Sequence, residues 1–141
     1  MTTSNQPQVQ PYLFFNGRCD EALEFYKRAL GAEVGFLMRF KDSPEPQQHE
    51  KQMAEKVMHA TFQVGGTMIH ASDGRCTGTP KFDGFALSLT VNTPSEAQRL
   101  FAALSDGGQV QMPITKTFFS PAFGMLADRF GVSWMVYVGQ G

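Results

Sequence analysis

What the chain lacks narrows its possible work. No apolar run approaches the ~20 residues that would span a bilayer, and Met1–Gln10 has neither the cationic start nor the apolar core of a signal peptide. The protein is therefore read as cytoplasmic. Lys plus Arg number 12 against 13 for Asp plus Glu, a formal net charge of −1. That balance provides no broad basic field for nucleic acid or an anionic membrane. Only two cysteines occur, Cys19 and Cys76, without metal-type spacing, and a reducing compartment would leave them as thiols. Gly65-Gly66 and Gly107-Gly108 do not open helices, so no glycine-rich loop is placed to cradle a phosphate. Neither a Gly-x-Ser-x-Gly elbow nor a His-Glu-x-x-His pair is present. The expected partner is a small molecule, with neither nucleic acid nor membrane.

Against these absences stand 141 residues, 42% of them hydrophobic, with 13 phenylalanines. That is enough for one domain with a sizeable core. The chain also repeats itself. A shift of about 75 residues lays Asp20-Glu21-Ala22-Leu23-Glu24-Phe25-Tyr26 on Ser95-Glu96-Ala97-Gln98-Arg99-Leu100-Phe101. Two copies of a unit too small to close its own core are expected to pack into one α+β domain, residues 9–138. The copies span 9–73 and 83–138, with a linker over 74–82 and a disordered leader over 1–8. A site is expected where the two copies face each other.

Val9–Phe15 is read as a strand ending at the Asn16-Gly17 turn. Asp20 is placed as N-cap of an amphipathic helix through Leu30, and Gly31 as its left-handed stop. Glu33–Phe40 forms the next strand. The polar stretch Lys41–Lys56 is a long loop, either a solvated excursion or a lid, with His49 solvated in it. Val57–Val64 and Thr67–Ser72 form a hairpin across Gly65-Gly66. In the second copy Asp83–Val91 is a strand, and Thr93-Pro94-Ser95-Glu96 forms a capping box opening a helix to about Ser105. Gln109–Met112, Phe118–Ala127 and Val132–Val138 complete a β-α-β-β-β order that occurs twice.

Pro11-Tyr12-Leu13-Phe14-Phe15-Asn16-Gly17, Glu21–Tyr26, Leu30-Gly31-Ala32-Glu33, Met58-His59-Ala60, Ala71-Ser72-Asp73 and Asp128–Trp134 together resemble one family. It is the PhnB-like branch of the vicinal oxygen chelate superfamily, which includes glyoxalase I, bleomycin-resistance proteins and extradiol dioxygenases. The branch is sometimes labelled with a demethylubiquinone methyltransferase name. The resemblance implies the glyoxalase/bleomycin-resistance fold, two βαβββ units forming one open-barrel cleft, and a homodimer. The superfamily's metal ligands would fall on Pro11, His70, Phe85 and Met135. Only His70 can ligate a divalent ion, where a catalytic zinc needs about three protein ligands. The implied function is a metal-free small-molecule binder without a cofactor. The alternative is a divalent-metal lyase, isomerase or dioxygenase using a nonstandard set around His70 and His59.

Strand alternation places His59 with Thr61 and Gln63 on the polar face of its strand, either facing a ligand or hydrogen-bonded to register the sheet. His70 shares a face with Met68 and Ser72 and carries the same two readings. The two histidines are expected as cross-strand neighbours. Leu13, Phe15, Phe85, Leu87, Leu89, Met135 and Tyr137 are expected to line the pocket with an apolar, aromatic surface. Trp134, opposite Met135 by parity, is read as core. Asp73 is read as an Asx turn in preference to a base. The helix dipole is expected to lower the thiol pKa of Cys19, although no partner base is evident.

Overall fold

The computed structural model describes residues 6–44, 53–74 and 79–139. Most of the leader, the middle of the long loop with His49, and the linker residue Cys76 lie outside them. Among the described residues the order is β1 (Tyr12–Phe14), α1 (Cys19–Leu30), β2 (Glu33–Arg39), β3 (Val57–Val64) and β4 (Thr67–Ser72). The second unit follows with β5 (Leu87–Val91), α2 (Pro94–Ser105), β6 (Gln109–Thr115), β7 (Phe123–Ala127) and β8 (Ser133–Val138). Each unit makes a four-stranded sheet, ordered β1-β4-β3-β2 and β5-β8-β7-β6. β1 runs parallel to β4 and β5 parallel to β8, and the remaining pairs are antiparallel. The expected α+β plan of two βαβββ units is the one observed.

The two helices start by different means. Thr93 caps α2 locally, its Oγ1 accepting the Glu96 N–H at 3.1 Å behind Pro94 at the first turn. α1 begins two residues earlier than expected, at Cys19 with Arg18 in place of Asp20 as N-cap, and the Arg18 side chain makes no capping bond. Asp73, buried at the end of β4, caps it from across the unit. Its Oδ1 accepts the N–H groups of Gly17 at 2.7 Å and Cys19 at 2.9 Å, and its Oδ2 accepts that of Val57 at 3.1 Å. Asp73 is thus a long-range cap and not an Asx turn. Asp20 lies outside on the helix, paired with Arg39 at 2.8 Å. Gly31 ends α1 at φ 68°, as expected.

Phe118–Pro121, expected as the start of a strand, is instead a turn leading to β7. The Thr117 hydroxyl accepts the N–H groups of Phe119 and Ser120, and the Thr117 N–H bonds back to the Ser120 carbonyl. These local bonds take the backbone groups a strand would have used.

One core joins the units. Phe130, in the β7–β8 connection, packs edge-on against Phe15 of the first unit and Phe25 of α1. Tyr26 of α1 stacks on Phe62 and donates its hydroxyl proton to Asp128 Oδ2. Asp128 also accepts from Trp134 Nε1 at 2.9 Å and from the N–H groups of Phe130 and Val132. Trp134 is core, as its parity predicted.

Candidate functional site

Strand parity gives each sheet one face against the helices and one open face. In the first sheet Leu13, Ala60, Phe62, Ile69 and Ala71 fill the helix side and are buried. The register then aligns Tyr12, His70, Thr61 and Phe36 across four strands on the other side. β2 reaches that alignment through an irregularity between Val34 and Phe36. There Thr61 Oγ1 accepts the Phe36 N–H at 3.1 Å, and a Cβ on Gly35 would sit 3.2 Å from the same oxygen.

Tyr12, His59 and His70 converge on this open face. Tyr12 stacks on Phe14 (ring centroids 4.9 Å apart) and on His70 (5.4 Å), with nearly parallel planes. His59 packs edge-on to Tyr12, and its ring lies 5.4 Å from that of His70. Phe36 flanks His59 at 5.7 Å. The Tyr12 hydroxyl and His59 Nδ1 are 3.0 Å apart. Burial raises the phenol pKa, while burial and then the neighbouring His70 lower that of His59. Both groups therefore stay neutral near pH 7, and a single hydrogen bond joins the hydroxyl to Nδ1. His70 Nε2 meets Gln10 Oε1 at 2.8 Å, so Nε2 carries the proton there. His70 Nδ1 is left a buried acceptor with no partner, an arrangement that needs a reason.

Next to the cluster an open apolar cavity of about 380 Å³ is lined by Tyr12, Phe14, Phe40, Met58, Ser72 and Gly74. A larger cavity of about 590 Å³ lies between the units, where Pro11, Ile69 and the β3–β4 turn meet Leu87, Leu89 and Leu100. Its one carboxylate, Glu96, accepts the Asn92 N–H at the start of α2.

The structure brings His59, His70 and Thr61 together on one face, with Gln63 opposite Met68 at its end. It separates the other expected pocket residues. Leu13 and Phe15 are each 2% exposed and belong to the core under α1, which corrects their assignment to the pocket. Leu87 and Leu89 pair with Trp134 and Val136 on the helix side of the second sheet, away from Met135 and Tyr137. Phe85 precedes β5 and is exposed. Met135 and Tyr137 lie on the open face of that sheet, where Ser88 and Thr90 hydroxyls lower the Tyr137 pKa. Tyr12 and Phe14 are the residues missed. Their signal was chemical: in Tyr12-Leu13-Phe14-Phe15 only tyrosine carries a polar tip that suits an open face. Cys19 is buried, and burial outweighs the helix dipole to push its thiol pKa well up. Among the described residues, no three His, Cys, Asp or Glu side chains are gathered where a metal ion could sit. No helix among them is long and apolar enough to cross a membrane.

A family model described as 3-demethylubiquinone-9 3-methyltransferase matches residues 7–137. The chain belongs to this family. Protein YjdN of Escherichia coli K12 is 33% identical over 138 residues, covering 92% of this chain and 94% of its own. Protein PA1353 of Pseudomonas aeruginosa, a crystal structure, is 42% identical with a TM-score of 0.84, covering 96% of this chain and 100% of that one. A Bacillus cereus structure is described as a putative 3-demethylubiquinone-9 3-methyltransferase, PhnB protein. It is 27% identical with a TM-score of 0.76, covering 94% and 100%. Structures described as glyoxalase/bleomycin resistance/dioxygenase proteins, at 18% and 12% identity with TM-scores of 0.67 and 0.60, share the fold of this PhnB-like chain.

Proposed function

We propose that this PhnB-like protein binds a small, uncharged, partly aromatic molecule on the open face of its first sheet, without a metal or cofactor and as a homodimer. The observation that carries the reading is the aromatic Tyr12–His59–His70 cluster. It sets the Tyr12 hydroxyl and the His59 imidazole, 3.0 Å apart, among stacked rings on the open face. An apolar cleft with a few convergent polar groups is the usual form of a small-molecule site. Among the described residues, none that touches these rings or lines the adjoining cavity is a lysine or arginine, which favours a neutral ligand over an anionic one.

A divalent-metal lyase, isomerase or dioxygenase would need ligands around His70 and His59. The residues do not suit that use. His70 Nε2 is engaged by Gln10 and its Nδ1 is sealed off, while Pro11, Phe85 and Met135 supply no hard or borderline donor. Methyl transfer is not proposed either, because no glycine-rich nucleotide loop follows a parallel strand.

The test is fluorescence titration with the neutral probe N-phenyl-1-naphthylamine, before and after exhaustive chelation. Binding should survive chelation and weaken roughly tenfold in Tyr12→Ala, the loss expected for one stacking ring. Loss of binding on chelation would favour the metal reading, and absence of binding to the native protein would remove the site.

A further inference from the structure

The open face of the second sheet carries a feature the first sheet lacks. The register pairs Met112 of β6 with Met125 of β7, and Met125 with Met135 of β8. Directly paired residues share a face, so the three thioethers form one row across adjacent strands. All three residues are half-buried, while Leu126, Trp134 and Val136 beside them are buried in the core. β6 reaches the row through irregularities on both sides of Met112. Ile114, two residues on, packs against the core, and an unbroken strand would send Met112 the same way. The irregular backbone turns Met112 over to the side of Met125, and re-aiming a side chain is what such bulges do.

The chemistry of the row is soft and uncharged. Neighbouring strands lie about 4.8 Å apart, and a methionine side chain has three rotatable bonds. The two outer sulfurs therefore reach an ion seated over the central one. Ser88, Thr90, Ser133, Phe123 and Tyr137 share the face, and none of them brings a carboxylate, an imidazole, a thiol or an ammonium group. Neutral thioethers are poor donors for a hard dication and offset none of its charge, whereas they select Cu(I). A thioether also has no proton to lose, so a site built from it binds independently of pH, unlike one of histidines or cysteines.

We infer that Met112, Met125 and Met135 form a binding site for a soft monovalent cation, Cu(I). The site lies on the other sheet from the Tyr12–His59–His70 cluster and uses none of its residues, so it goes beyond the small-molecule reading and does not depend on it.

The test is anaerobic competition for Cu(I) between the chromophoric chelator bicinchoninate and full-length protein carrying Cys76→Ser, followed by X-ray absorption of the loaded protein. A single Cu(I) per chain should bind, with sulfur alone around the ion. Met125→Leu conserves side-chain volume and should weaken binding at least about tenfold. Met112→Leu, on the edge strand β6, should do the same, so that a folding defect in either variant does not decide the result. His59→Gln and His70→Gln should leave the affinity unchanged. The affinity should also be constant from about pH 6 to 8 once protonation of the chelator is corrected for. No binding, binding that ignores both leucine variants, nitrogen around the ion, loss in either histidine variant, or an affinity that falls with pH would each overturn the inference. The N-phenyl-1-naphthylamine titration reads the first sheet, so its failure would leave the Cu(I) site standing, and failure here would leave the small-molecule site.

Discussion

His59, Tyr12 and Cys19 are governed by one physical effect, because burial penalises whichever form carries charge. It raises the pKa of the phenol and the thiol and lowers that of the imidazole, the last helped by His70. The result is that Tyr12 and His59 are held neutral near pH 7, and it makes stability depend on pH. With its pKa depressed in the fold, His59 takes up its proton less readily there than in the unfolded chain, whose histidines titrate near 6.5. Unfolding therefore binds a proton in the window between the depressed folded value and about 6.5, and stability rises with pH through that window. Above it both states are neutral at His59 and the contribution levels off. Urea midpoints measured in steps from pH 5 to 8 should show this rise, and His59→Gln should flatten it. Identical slopes in the two proteins would mean that the imidazole is not desolvated by the fold.

The two helices show what a sequence can and cannot announce. The start of α2 was legible because its signals are adjacent: Thr93 caps, Pro94 opens, and Glu96 lies three residues after the cap. The start of α1 was not, since its cap, Asp73, comes 54 residues after the amide of Cys19 that it serves. No local window holds both partners. The energies should differ in the same sense. Thr93→Ala removes one cap bond and is expected to cost about 1 kcal/mol. Asp73→Ala strands the N–H groups of Gly17, Cys19 and Val57 in or near the core and is expected to cost about 3 kcal/mol or more. Denaturant midpoints of the two variants test the ranking, and equal losses would show that water replaces the carboxylate. The candidate site divides along similar lines. Alternation in β3 and β4 placed His59, Thr61 and His70 on one face, because a hairpin fixes parity between its strands. β1 pairs with β4 in parallel across most of the first unit, so its parity was not tied to theirs, and Leu13 and Phe15 were placed on the wrong side. The turn at Phe118 escaped for a third reason, since two phenylalanines read as strand residues until the Thr117 hydroxyl is seen to take the N–H groups of Phe119 and Ser120.

Across the whole molecule, the units are joined less by their sheets than by Asp128. That carboxylate lies in the second unit at the end of β7, and it accepts from Tyr26 of the first unit as well as from Trp134 and two backbone N–H groups of its own. Phe130 beside it fills the space between Phe15 and Phe25. Neither unit can open here without exposing the other, so unfolding should be one cooperative transition. Trp134 fluorescence, which reports the second sheet, and far-ultraviolet circular dichroism, which reports both units, should give coincident denaturation curves. Asp128→Ala leaves four buried donors with no acceptor. At about 1–3 kcal/mol for each unsatisfied group, offset in part by relaxation, a net loss of about 3–5 kcal/mol is expected. The loss should shift both probes by the same amount. If the variant instead separates the two curves, the units are independent folding bodies and Asp128 is only a clasp between them. If the curves move together, the carboxylate belongs to a single shared core, and the open face bearing His59 and His70 depends for its shape on residues of the opposite unit.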